Sequence, residues 1–149
     1  MNQAIEIAEA ARAEGKTVAL ANGAFDLLHV GHLRYLQGSK ALADVLIVAI
    51  NTDAVVKRAK GPARPVIPEA ERLELVQSLR CVDHAFLFDS DTVEPVLRGV
   101  RPNFHCKGTD YTAENVPEAA VSRSLGIQTK IVGDPKDHST TALQQQLRK

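Results

Sequence analysis

The sequence predicts an α/β fold: a doubly wound parallel sheet with flanking helices. Three observations carry this expectation. Short β-rich apolar runs alternate with helical patterns along the chain, the order expected of βαβ units. One run, "DVLIVAI" (Asp44 to Ile50), is almost uninterruptedly apolar, as a strand covered on both faces must be. Polar and basic residues that solvated helix faces do not account for gather in the segments after the strands. In such sheets ligands bind there, beyond the carboxyl ends of the strands.

Met1 to Lys16 alternates charge with alanine and reads as a leading helix. "TVALA" (Thr17 to Ala21) is the first strand, and "GHLRYLQGSKALA" follows as a helix with Leu33, Leu36 and Ala43 near one face. After the Asp44–Ile50 strand, "NTDAVVKRAKGPARP" reads as a loop. "PEAERLELVQSLR" has proline and acidic residues in its first turn and Leu73, Val76 and Leu79 along a face, so it is a helix. "HAFLF", "NFHCK" and "IQTKIV" are further strands. "TVEPVLRGV" and "VPEAAVSRSLG" read as the helices between them, the first containing Pro95. A last helix starts at Ser139 and runs to the C-terminus.

The length of 149 residues fits one domain, 1–149, large enough to bury a core. Lysine plus arginine number 18 and acidic residues 18, so the overall charge gives no argument for nucleic acid or membrane as a partner. No segment approaches the roughly 18 uninterrupted apolar residues of a membrane span, and the N-terminus lacks the pattern of a signal peptide. Cys81 and Cys106 are far apart and outside any CxxC pattern, as in a reduced cytoplasmic protein.

"NGAFDLLHVGHLRYL", Asn22 to Leu36, sets His29 and His32 three residues apart where a strand gives way to a helix. The glutamate of an HExxH zinc site is missing, and no third ligand stands nearby. Gly31 between them sits at the helix start, where it allows a ligand close to the backbone. The N–H groups and positive dipole end of that helix form an anion site, to which two imidazoles add donors.

"HVGH" after a strand, preceded by "NGAFDLLH", resembles the HxGH signature of the nucleotidyltransferase superfamily, the cytidylyltransferase-like proteins. "NTDAVVKRAKGPARPVIPEAERL", "KGTDY" and "STT" resemble, in order, the motifs of its sugar-phosphate branch. From Thr17 onward the chain looks most like the D-glycero-D-manno-heptose 1-phosphate adenylyltransferases. Cytidylyltransferases for glycerol 3-phosphate and phosphoethanolamine share HxGH and STT. The resemblance implies a Rossmann-like fold of the HxGH nucleotidyltransferase type. It also implies attack of a substrate phosphate oxygen on the α-phosphorus of a nucleoside triphosphate, expelling pyrophosphate.

Such a nucleophile is already ionised, since a phosphate monoester has a second pKa of about 6, so no general base is required. Positioning and charge neutralisation are what the protein must supply. The resemblance assigns catalytic roles at the triphosphate to His29, His32 and Lys60, with Lys60 preferred to Lys57. Asn22, Gly23 and Phe25 would line the nucleotide cleft through their backbone, with Gly31 beside them. Asp26 either joins them or holds the loop by accepting backbone N–H bonds. Lys57, Arg64, Arg72 and Arg80 are candidates for substrate phosphate, each arginine having an alternative as an ion-pair partner of Glu69, Glu71 or Asp83. Lys107 and Asp110 of "KGTDY" are candidates for the nucleotide or its ribose. Thr109 stands where a glycine is common, so either the backbone is not left-handed there or the loop differs. Ser139, Thr140 and Thr141 would present hydroxyls and a helix N-terminus to phosphate, Ser139 being a good N-cap. His84, His105 and His138 read as structural or solvent-facing, and Tyr35 and Tyr111 as packing or cleft wall.

Cytidylyltransferases of this group carry "RTEGIS" before STT, whereas here Asp134 of "GDPKDHS" stands at the arginine position. That, with "KGPARP", favours ATP over CTP; the resemblance implies heptose 1-phosphate as acceptor, giving ADP-heptose for lipopolysaccharide. The alternatives are a CTP-dependent enzyme for an alcohol phosphate and a nucleotide-binding module without catalysis. Mg²⁺ is implied with ATP, without assignable ligands. Absence of a kinase domain implies a separate sugar kinase upstream, and a homo-oligomer is in keeping with the family.

Overall fold

A computed structural model describes residues 1–135 and 140–148. Five parallel strands form one sheet: β1 (Val18–Gly23), β2 (Val45–Asn51), β3 (His84–Phe88), β4 (Phe104–Lys107) and β5 (Gln128–Ile131). Their order is β3-β2-β1-β4-β5. The chain therefore winds outward from β1 in one direction through β2 and β3, then returns to the other side of β1 for β4 and β5. The switch point lies between β1 and β4, where Leu20 pairs with His105 and Ala21 with Cys106.

The helices are α1 (Asn2–Ala13), α2 (Val30–Ala41), α3 (Asp53–Lys60), α4 (Glu69–Gln77), α5 (Glu94–Val100), α6 (Ala119–Ser124) and α7 (Thr140–Leu147). Strand alternation divides the core in two. Leu20, Ile47, Ala49, Phe86 and Phe88 face a layer containing Ala4, Ala8 and Ala11 of α1 and Val96, Leu97 and Val100 of α5. Ala19, Ala21, Leu46, Val48 and Ile50 face the other layer with Leu36 of α2 and Val76 of α4. Each fully buried Val, Leu or Ile contributes roughly 1.5–3 kcal/mol, so the central strands β1 and β2 are the main source of stability. Both thiols are free, Cys106 buried and Cys81 half-buried. Among the described residues no helix is long and apolar enough to cross a membrane.

The three alanines of α1 let it lie close on the sheet. Its end is fixed by Gly15, whose φ of 73° allows the Lys16 N–H to return to the Ala11 carbonyl at 2.9 Å. Pro95 does not interrupt α5, because it falls in the first turn, where its missing N–H is not needed. One expectation fails here. Residues 53–60 form a helix, α3, and not a loop. Thr52 caps it by accepting the Val55 N–H, Asp53 sits at its positive end, and Lys57, Arg58 and Lys60 sit at its negative end, all favourable. Gly61, with φ 99°, terminates it.

Candidate active site

The carboxyl ends of β1 and β4 open into a cleft of about 310 Å³ at the switch point. One wall begins with the segment that carries the chain from β1 into α2. Phe25 and Leu27 both have left-handed backbone there, φ 54° and 48°, a conformation costing on the order of 1–3 kcal/mol for each non-glycine residue. Two features compensate. The Phe25 ring is buried and packs on His32, 5.5 Å between centroids, and on Tyr35, 6.4 Å. Asp26, between the two strained residues, accepts the N–H groups of Val66 at 2.8 Å and Ile67 at 2.9 Å, and Arg64 Nε at 3.2 Å. Burial alone would raise the Asp26 carboxyl, but these bonds and the Arg64 charge outweigh it and hold it below its ordinary value.

This arrangement delivers His29 and His32 to the cleft in a defined state. His29 is the N-cap of α2, and its Nδ1 accepts the Gly31 N–H at 3.1 Å. His32 Nδ1 in turn accepts the His29 N–H at 3.2 Å. The two rings stack, 3.9 Å between centroids. An imidazole whose Nδ1 accepts a hydrogen bond carries its proton on Nε2, so each ring turns an Nε2–H donor away from the cap. Burial first, then the neighbouring His29 and Lys60 charges, push the His32 pKa down to about 4. At neutral pH His32 is a neutral donor. Of the helix-start N–H groups expected to form an anion site, that of Gly31 is already taken by His29 Nδ1.

Lys60, at the end of α3, reaches the same cleft, and Lys57, exposed one turn earlier, does not. On the facing wall Lys107 ends β4, with its Nζ 4.6 Å from the centre of the Tyr111 ring. Gly108 and Asp110 follow it along the cleft. Thr109 has no left-handed backbone. Its hydroxyl donates to the Asp134 carbonyl at 2.6 Å, tying the loop after β4 to the loop after β5. Asp134 also receives Arg34 of α2, Nη1 to Oδ2 2.5 Å, so a second bond joins that loop to α2. Tyr35 is both packing and cleft wall. Its hydroxyl donates to the Cys106 carbonyl at 2.5 Å and accepts the Asn22 N–H at 3.3 Å, bridging β1 and β4. Thr141 lines the cleft from α7. Thr140 opens α7, and Ser139 and His138 lie outside the described residues.

Several residues expected at phosphate or nucleotide are engaged elsewhere. Arg72 is fully buried and donates to the carbonyls of Ile67, Ala24 and Asn51 and to the Asp53 carboxylate, at 2.6–2.9 Å. It clasps three loops behind the cleft. Arg64 is also buried, held by Asp26 and by Gln144 of α7 at 2.9 Å. Arg80 precedes β3 and therefore lies toward the amino edge of the sheet, away from the cleft. Asp26 is structural, for the reasons above. Gly23 and Phe25 are not among the described residues that line the cleft; a Cβ on Gly23 would stand 3.3 Å from the Phe25 ring. Sequence reasoning missed Arg34 as a wall-builder, and it read His105 as structural or solvent-facing without its tie to the cleft. His105 is buried with Nε2 2.9 Å from Oδ1 of Asn22, a cleft residue.

The cleft thus gathers two imidazole donors and two lysines around a crevice at a topological switch point, a pattern suited to a polyanion. Residues 20–146 match the family described as cytidylyltransferase-like. The chain belongs to the cytidylyltransferase-like family. As a nucleotidyltransferase domain of that family it is 41% identical over 136 residues to the bifunctional protein HldE of Syntrophotalea carbinolica, covering 91% of this chain and 28% of that protein. It is 44% identical over 132 residues to the HldE of Streptomyces coelicolor, covering 89% and 28%. This cytidylyltransferase-like chain therefore spans less than a third of those relatives. Its fold is also similar to the crystal structure of the lipopolysaccharide core biosynthesis protein from Thermoplasma volcanium. There the TM-score is 0.69 and the identity 28%, covering 82% of this chain and all of that one.

Proposed function

We propose that this domain transfers AMP from ATP to a heptose 1-phosphate, giving ADP-heptose and pyrophosphate. The observation that carries the reading is the pair of mutually capped histidines with Nε2–H donors, facing the same cleft as Lys60 and Lys107. The similarity to HldE proteins and to a lipopolysaccharide core biosynthesis protein supports the acceptor class.

In this mechanism the triphosphate lies across the switch point. An ionised oxygen of the sugar phosphate attacks the α-phosphorus in line, and the bond to the bridging oxygen of pyrophosphate breaks. No side chain need remove a proton. His29 and His32 donate from Nε2 to the oxygens on which negative charge grows, positions already fixed by their bonds to the backbone. Lys60 and Lys107 balance the charge of the triphosphate and of the departing pyrophosphate.

Among the described residues no three His, Cys, Asp or Glu side chains gather as a metal cage. Mg²⁺ would enter with the triphosphate, held by phosphate oxygens and water. Bound in this way, the cation would screen the polyphosphate charge. At the cleft rim Asp134 supports ATP over CTP, because a carboxylate engaged with Arg34 stands where cytidylyltransferases of this type present an arginine. The phosphorylated sugar would come from an enzyme that phosphorylates the anomeric hydroxyl of a heptose.

The test is pyrophosphate release with Mg²⁺, crossing ATP and CTP against both anomers of heptose 1-phosphate, glycerol 3-phosphate and phosphoethanolamine. Turnover confined to ATP with a heptose 1-phosphate is the expected result. Turnover with CTP and an alcohol phosphate would replace the substrate assignment and keep the chemistry. Nucleotide binding without turnover on any pair would leave a binding module.

A further inference from the structure

We propose that His105, although it never touches substrate, is a positioning residue: its Nε2–H bonds to Asn22 Oδ1 and turns the Asn22 amide nitrogen into the cleft as a donor to an oxygen of the bound nucleotide. The inference rests on the nucleotide-transfer reading for the ligand and on the β1–β4 register and the His105–Asn22 contact for the geometry.

The two residues meet because of strand register. Leu20 of β1 pairs with His105 of β4, and Asn22 lies two residues further along the same face. His105 is fully buried, and its Nε2 is 2.9 Å from Asn22 Oδ1. Asn22 backbone is pinned separately, its N–H donating to the Tyr35 hydroxyl. With backbone and side-chain oxygen both held, the amide nitrogen is the remaining group. It makes no hydrogen bond to the described residues and is not among the buried polar atoms lacking one, so it reaches the open cleft that Asn22 lines.

The same contact admits a second arrangement, in which the Asn22 amide donates to a bare Nε2 and the cleft receives its oxygen. His105 Nδ1 decides between them. It is buried without a partner among the described residues. In the second arrangement it would be a stranded N–H, and orphaned buried N–H groups are the rarest of unsatisfied polar groups. In the first it is a lone pair in an apolar layer. Protonating both nitrogens is excluded at neutral pH, since burial and then the Lys107 charge push the His105 pKa down to about 3. The first arrangement also matches the ligand, because a triphosphate offers acceptors and His29, His32, Lys60 and Lys107 bring donors to the same cleft.

The test compares His105→Gln, whose amide nitrogen can replace Nε2, with His105→Phe, which keeps bulk and removes the donor. His105→Phe is expected to raise KM for ATP about ten-fold with kcat within about two-fold, the scale of one hydrogen bond. His105→Gln should stay within about three-fold of wild type, and in an Asn22→Ala background His105→Phe should add less than about two-fold. Equal losses in the Gln and Phe variants, or full additivity with Asn22→Ala, would overturn the proposal. Should His105→Phe fail to fold, the Gln variant and Asn22→Ala carry the comparison. A readout independent of turnover is ¹⁵N NMR of the wild-type protein. The Nε2–H tautomer of His105 and a shift of the Asn22 side-chain amide on adding Mg–ATP support it. The Nδ1–H tautomer, or an amide indifferent to Mg–ATP, overturns it. If no acceptor is turned over but these spectra behave as described, the transfer reading fails and the positioning role stands.

Discussion

His29 and His32 fix one another: the backbone N–H of His29 is held by Nδ1 of His32 at 3.2 Å, and the rings stack 3.9 Å apart. Their mutual cap spends both Nδ1 atoms on the backbone and leaves the chemistry to Nε2. Helix start and donor pair are one structure, so each histidine has a stabilising role and a proposed chemical role.

Those roles separate by substitution. Asparagine is a good N-cap, so His29→Asn should keep the thermal midpoint near wild type while removing the donor. Turnover is expected to fall about 100-fold or more, as on loss of one transition-state donor. His29→Ala should lose turnover similarly and also about 1 kcal/mol of stability by urea unfolding. An Asn variant with wild-type turnover would assign His29 to capping alone.

Acid should destabilise the fold before it protonates His32 and His105 in the native state. The His32 and His105 pKa values, about 4 and about 3, lie below the ordinary 6.5. In this range the unfolded chain binds more protons than the native one, so stability is full above pH 6.5 and falls as the pH drops toward 4 and below. Urea midpoints from pH 8 to pH 4 in wild type and His105→Gln measure this, the variant showing the shallower decline. The rate should fall earlier, near pH 6, where the substrate phosphate takes up its proton.

Arg72 is expected to behave as a structural clasp. Its guanidinium serves three carbonyls and Asp53 from a fully buried position, a fork that lysine does not reproduce. Arg72→Lys should lose roughly 2–4 kcal/mol in urea unfolding, the cost of stranding buried polar groups. Arg80→Ala, at the amino edge of the sheet, should leave both stability and KM for either substrate unchanged. A large KM effect for Arg80→Ala would contradict its placement.

The rim bonds at Asp134 should matter for binding more than for stability. The Arg34–Asp134 pair is about half exposed on both sides, and such pairs contribute about 0–1 kcal/mol. Asp134→Ala and Thr109→Val each release the loop after β5. Each should raise KM for ATP about three- to ten-fold while shifting the thermal midpoint by a degree or two at most. Isothermal titration with a non-hydrolysable ATP analogue checks this directly.

Most of the fold was legible because β1 and β2 are apolar on both faces and each helix carries its own periodicity. Residues 53–60 were misread as loop. An eight-residue helix with Val55 and Val56 adjacent and a basic end has too short a pattern, although the Thr52–Asp53 start was a usable signal. The histidine motif, Lys60 and the loop after β4 were legible because each is local in sequence. Asp26 was legible as one of two readings, the loop anchor that it is, whereas Arg64 and Arg72 were not. An arginine bound to phosphate and one bound to carbonyls 21 and 48 residues away are the same letter, and only folding distinguishes them. His105 was opaque for the same reason, its partner Asn22 being 83 residues earlier.

The most direct measurement is pyrophosphate release from ATP and heptose 1-phosphate by wild type and His29→Asn, with folding checked on the same samples. Turnover in the wild type, reduced at least about 100-fold in a folded His29→Asn protein, is the expected result. Equal turnover by both proteins, or none by the folded wild type with either anomer, would contradict transfer of AMP to a heptose 1-phosphate by the paired imidazole donors.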